Sequence, residues 1–120
     1  MRNALVVVGL MTTVYAAGPV LTLDLPPKAD NPRNTEGSFV GLKDGCLLYA
    51  YSKFTGGSSD HATAHIAARY SADGGFTWSA EDVVLAANDA GMNVMSVSFL
   101  RLRSGEIALF TVRKNSMLTS

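Results

Sequence analysis

Short apolar-rich runs recur along the chain, each closed by a cluster of turn-forming residues. That is the patterning of strands rather than helices. The clearest case is Ser38-Phe39-Val40-Gly41-Leu42, then Lys43-Asp44-Gly45, then Cys46-Leu47-Leu48: a strand, a turn and a strand. Shifted by 60 residues, Ser98-Phe99-Leu100-Arg101-Leu102-Arg103-Ser104-Gly105-Glu106-Ile107-Ala108 repeats it without a gap. Apolar positions fall on apolar ones, Gly45 on Gly105, Lys43 on Arg103 and Lys53 on Arg113. The pattern predicts strands over 36–42, 46–54, 62–70 and 80–85, and in the second copy over 95–102 and 106–113. The fold class is therefore all-β.

Between the third and fourth runs lies Ser71-Ala72-Asp73-Gly74-Gly75-Phe76-Thr77-Trp78. An Asp-Gly-Gly core between two strands describes a tight hairpin turn. Asp73 accepts from turn amides, and Gly74 and Gly75 take positive φ without a Cβ clash. Trp78 is expected to fold its ring over the turn. Four short strands per fixed period fit the blade of a β-propeller. The chain holds about one and a half such blades, and a six-bladed ring would need roughly 360 residues. The expectation is therefore a partial β-propeller, the N-terminal piece of a longer protein, with exposed edges and marginal stability alone.

Length and composition narrow this only a little. The chain has 120 residues, 48% hydrophobic and 17% charged, with a formal net charge of zero. Balanced charge leaves no electrostatic footprint for nucleic acid or an anionic membrane. The single Cys46 forms no internal disulfide and reads as a small buried side chain. Residues 1–16 read as a signal peptide. Arg2 supplies a positive start, 4–14 is uncharged and apolar, and Val14-Tyr15-Ala16 offers a cleavage site. The alternatives are a buried N-terminal strand or a misplaced gene start. The apolar run is shorter than the roughly 20 residues of a membrane span. A secreted or periplasmic location follows from the signal-peptide reading. Leu25-Pro26-Pro27-Lys28 marks 17–32 as an extended linker, and 33–120 as the propeller-like part.

Antiparallel order sorts the polar residues by end. The start of the first strand, the end of the second and the loop before the third share one end, and the turns 43–45 and 71–78 share the other. Arg33, Glu36, Lys53, Asp60 and His61 thus lie together, away from Asp73. The 60-residue shift adds Asn93 and Ser96, the equivalents of Arg33 and Glu36. Loop polars are commonly just solvated; Arg33 and Asp60 at one end, beside the glycine-rich stretch 55–60, are the candidates for chemistry. His61 and His65 lack a third ligand, so no metal is expected. Tyr49, Tyr51 and Tyr70 read as packing residues, and Met92 and Met95 as inner-strand core.

The octapeptide resembles the Asp-box of sialidase (neuraminidase) β-propellers. With Arg33-Asn34-Thr35-Glu36-Gly37, Leu42-Lys43-Asp44-Gly45 and Ser59-Asp60-His61, the resemblance runs over 31–115, to bacterial exo-α-sialidase-like proteins with Asp-box repeats. It implies that Arg33 belongs to an arginine triad clamping the sialic acid carboxylate, a task suited to a bidentate, permanently charged fork. It implies that Asp60 is the acid/base, protonating the leaving oxygen and later activating water. Glu36, Lys53, His61 and Asn93 would line the substrate. Sialidases use a tyrosine nucleophile. That tyrosine, its glutamate partner and the other two arginines come late in the family pattern and are not in this chain. The implied partner is a sialoglycan or other acidic glycan, with no cofactor, and the chain alone is expected to be inactive. Arg33-Asn34-Thr35 departs from the family's Arg-Ile-Pro, Lys53 replaces a frequent arginine, and Glu36 suits an anionic substrate only if paired with Arg33 or Lys53. Two further readings stay open: a non-catalytic Asp-box propeller binding glycans or proteins, and a glycosidase for a neutral polysaccharide.

Overall fold

A computed structural model describes residues 17–117, so the signal-peptide reading of 1–16 lies outside the described residues. Six strands follow in chain order: β1 (Arg33–Gly41), β2 (Leu47–Phe54), β3 (Ala64–Ser71), β4 (Val83–Ala86), β5 (Asn93–Arg101) and β6 (Ile107–Lys114). The first four form one antiparallel sheet in the order β1-β2-β3-β4, and β5 and β6 form a second. No helix occurs among the described residues, and so none long and apolar enough to cross a membrane. The fold is all-β, in two open antiparallel sheets.

The 60-residue period is structural as well as sequential. Arg33 pairs with Phe54 and Asn93 with Lys114; Val40 pairs with Leu48 and Leu100 with Ala108. In both hairpins the turn closes identically. Leu42 N donates to Cys46 O at 2.7 Å, and Leu102 N to Glu106 O at 2.8 Å. Gly45 and Gly105 share a φ of 88°. Both inner strands also carry a β-bulge, between Thr35 and Ser38 and between Met95 and Ser98. Each puts a non-glycine residue in the left-handed region, Glu36 at φ 35° and Ser96 at φ 58°. The bulges explain why β1 and β5 begin three and two residues earlier than the sequence pattern predicts. The extra residue resets the pleat, so one ladder runs through Arg-Asn-Thr-Glu, where polar and apolar positions do not alternate.

Strand β4 is shorter than the expected 80–85, for a definable reason. Ser79 N still donates to Tyr70 O at 2.8 Å, but the Arg69 guanidinium takes the carbonyls of Ser79 (2.6 Å) and Ala80, and the regular ladder starts only at Val83. Residues 17–27 form no strand, in keeping with a prolyl linker, yet the segment is packed. Asn34 Nδ2 donates to Leu25 O at 3.0 Å, and Trp78 Nε1 to Thr22 Oγ1 at 3.2 Å.

The two faces of the first sheet are unlike. One carries Leu48, Ala50, Ile66 and Ala68, all buried, and β5 lies against it with Val94 and Val97 buried in the same cluster. Burying each valine contributes on the order of 1–2 kcal/mol. Polar contacts fix the stacking: Ser96 N donates to Ser52 Oγ at 2.9 Å, and the Arg101 guanidinium donates to Gly41 O. The other face carries Phe39, Tyr49, Tyr51, Lys53 and Trp78. An apolar groove of about 470 Å³ opens there, edged by Val20 and Leu21.

Candidate functional site

At the end of the first sheet where β1 and β3 begin, Arg33 sits on its register partner. Its guanidinium carbon lies 4.5 Å from the centroid of the Phe54 ring, which is fully buried. Nη1 donates to Ser58 O at 2.9 Å and to Asp60 Oδ1 at 2.6 Å. That hydrogen bond and charge hold the Asp60 carboxyl below its ordinary range, with smaller help from His61 and Lys114. Among the described residues only Nη1 of Arg33 makes hydrogen bonds, which leaves the rest of the fork without a protein partner there. A carboxylate is thus already seated on Arg33, and the seat is strand-anchored.

Asn93 holds the loop that carries Asp60. It is fully buried, and its amide donates to the carbonyls of Asp60 (2.9 Å) and Ala62 (3.1 Å), tying the second hairpin to the loop of the first sheet. It therefore positions the site instead of lining it. Its Oδ1 is buried without a partner among the described residues. His61 is exposed, and its Nδ1 meets Lys114 Nζ at the end of β6. Lys114 is the residue that sequence reading passed over. It lies opposite Asn93 as Phe54 lies opposite Arg33, so the repeat itself contains the signal.

Two expected members stand apart. Lys53 lies on the other face of the sheet, because side chains alternate along β2 and Lys53 shares the parity of Tyr49 and Tyr51. There its Nζ pairs with Asp82 at 2.6 Å, not with Arg33 or Asp60. Glu36 projects from the bulge and accepts from Thr35 Oγ1 at 2.7 Å and Ser52 Oγ at 3.3 Å. It pairs with neither Arg33 nor Lys53, so the condition under which Glu36 would suit an anionic substrate is not met.

The Asp82 cluster is the most heavily tied ionic group in the described chain. Lys53, Arg69 Nε and Tyr51 OH all donate to its carboxylate at 2.6 Å. Burial opposes its ionised form, but these three bonds outweigh it and hold the carboxyl at about 2. Burial, then Asp82, push the Tyr51 phenol far above its usual value, and burial with the Lys53 charge pushes His65 down. A polar cavity of about 320 Å³ adjoins the cluster, reaching Asp24, Lys28 and Asp30. Positive and negative groups line it alike, and the Asp82 cluster beside it fastens 79–82 to β2 and β3.

The Asp-box lies at the far end, eight residues of β2 away, which is about 25 Å of extended chain. Asp73 takes the Thr77 hydroxyl at 2.6 Å, the Thr77 amide at 2.8 Å and the Ser71 hydroxyl at 2.9 Å, and its carboxyl is held down at about 2. Gly74 and Gly75 take φ of 75° and 93°, as the turn requires. Trp78 folds back to donate to Gly75 O at 3.1 Å and meets Tyr49 edge-on, with centroids 6.2 Å apart. The turn is fully bonded and faces away from Arg33. Cys46 is half-buried and free, not wholly enclosed as expected. Among the described residues no group of three or more His, Cys, Asp or Glu side chains could hold a metal ion. No protein-family model matches the chain, and no curated protein matches it.

Proposed function

We propose that this chain contributes one blade and part of the next to a sialidase-type β-propeller, and that its Arg33 end binds the carboxylate of an acidic sugar of the sialic acid class. The Arg33–Asp60 ion pair carries the reading: a carboxylate occupies the guanidinium, and a ligand carboxylate has the same chemistry to offer it. Lys114 and His61 stand beside it and add donors for an anionic or hydroxylated ligand. The 60-residue repeat, with matched bulges, turns and registers, supports the propeller, as does the bonding of the Asp-box.

Within a catalytic propeller Asp60 would be the acid/base. A general acid needs a proton at the working pH, whereas Arg33 favours the ionised form of Asp60. Occupation of Arg33 by a ligand carboxylate would release Asp60 and let its pKa rise. The described tyrosines are elsewhere: Tyr49 and Tyr51 on the other face, Tyr70 next to the Asp-box end of β3. These two observations favour binding without cleavage for the chain by itself, the expected measurement being no turnover of an aryl sialoside. Turnover by the purified chain would refute this. In a protein that does hydrolyse such a substrate, Asp60→Ala should lower the rate by at least about 100-fold. Unchanged turnover would remove Asp60 from the mechanism. A pattern of export at 1–16 is in keeping with an extracellular glycan as ligand.

A further inference from the structure

The seat on Arg33 can be emptied by the movement of one side chain. The guanidinium is fixed by its stacking on the buried Phe54 ring and by Ser58 O at 2.9 Å. The loop that brings Asp60 to it is fixed as well. Thr55 N and Gly56 N both donate to Thr63 O, at 2.9 and 3.2 Å, and Ala62 N donates to Ser59 O at 3.0 Å. Gly56 permits this closure, since a Cβ there would stand 2.9 Å from Thr63 Cβ. From the second hairpin, Asn93 holds the carbonyls of Asp60 and Ala62. Against that frame the Asp60 side chain is 68% exposed, and Arg33 is the one hydrogen-bond partner of its carboxylate among the described residues.

We infer, on the reading that Arg33 receives a ligand carboxylate, that Asp60 is the ligand's internal competitor. In the free protein its carboxylate closes the seat, and an acidic ligand binds by displacing it. Both carboxylates offer the guanidinium the same charge-assisted hydrogen bond. Asp60 uses Nη1 alone, whereas a free carboxylate can take two N–H groups of the fork, which lets the ligand win. The closed loop and Asn93 keep Asp60 within reach of Arg33, and so at a high effective concentration. Apparent affinity then falls in proportion to the fraction of molecules whose Arg33 is open. An exposed pair of this kind favours the closed form by up to about fivefold, which weakens binding without preventing it. Opening needs only rotation of one exposed side chain, and the displaced carboxylate stays in the field of His61 and Lys114. The effect is opposite in sign to that of a residue that holds the ligand: removal of Asp60 strengthens binding.

NMR titration of the full chain with N-acetylneuraminic acid and with its methyl ester, on wild type, Asp60→Asn and Asp60→Ala, tests this. Each variant changes one exposed side chain and should leave the circular dichroism unchanged. Expected is acid binding about two- to fivefold tighter in both variants than in wild type, with the ester binding all three alike. In the wild type, saturation with the acid should also move the Asp60 carboxyl up from its depressed titration range. Acid that binds wild type through Arg33, yet binds the variants no tighter, would overturn the competitor role and leave the carboxylate site standing. So would an Asp60 carboxyl whose titration does not move on saturation. Acid that binds no form better than the ester would overturn both.

Discussion

Asp60 and Asp73 are both exposed carboxylates held ionised, by different means and at opposite ends of the sheet. Asp73 is bonded by its own turn, Asp60 by a guanidinium from another strand. The folded value of Asp73, about 2, lies below the roughly 3.9 of an unfolded aspartate. Its stabilising contribution is thus complete above about pH 4 and is lost as pH falls through about 2. Urea unfolding of wild type and Asp73→Asn across this window should show the wild type losing its advantage on acidification; parallel curves would contradict it. For Asp60, Arg33→Ala should move the carboxyl back up, read directly by carbon-detected NMR titration. Arg33 and Asp60 were legible as neighbours from strand order alone. Their ion pair was not, because Asn93 of the next repeat sets the loop. Lys53 was misplaced by reading which end of β2 it occupies without asking which face.

At the scale of elements the hairpin is the repeating unit, and its turn glycine makes a clean test. No atom lies within 4 Å of where a Cβ on Gly45 would stand, yet φ is 88°. Gly45→Ala therefore adds backbone strain alone, about 1–2 kcal/mol, and Gly105→Ala should cost about the same by repeat equivalence. Denaturant midpoints of the two variants give the comparison, and a neutral effect at either would argue against the left-handed turn. Asp82 fastens β4 through Lys53, Arg69 and Tyr51. Asp82→Asn leaves two cations unpaired and should destabilise by about 2–3 kcal/mol, somewhat less than a wholly buried pair because the site is partly wet. All six strands were legible to within three residues at each end from apolar runs closed by turn residues. The bulges were not, since one inserted residue has no compositional mark. The shortness of β4 was also hidden, since it depends on Arg69 reaching two carbonyls ten and eleven residues ahead.

At the largest scale the described chain is two stacked open sheets with its cations and carboxylates sorted by position, so that zero net charge conceals a local arrangement. Arg33, Lys114 and His61 gather with Asp60 at one end of the first sheet, while the more enclosed ion cluster on Asp82 ties β4 to β2 and β3. All-β architecture and the 60-residue period were plain in the sequence, and the stacking of β5 on the first sheet follows from them only once Val94 and Val97 are seen to share one core with Leu48 and Ile66. The proposed function rests on this end of the sheet binding a carboxylate, and that is the point to measure. The most direct test is a nitrogen-15 NMR titration of the full chain with N-acetylneuraminic acid and, separately, with its methyl ester. The ester keeps the sugar's shape and removes its charge. Expected are shifts centred on Arg33, His61, Asn93 and Lys114 with the acid, at least about tenfold weaker binding of the ester, and loss of that difference in Arg33→Ala. Equal binding of acid and ester by the wild type, or no response at these residues, would contradict a carboxylate site at Arg33.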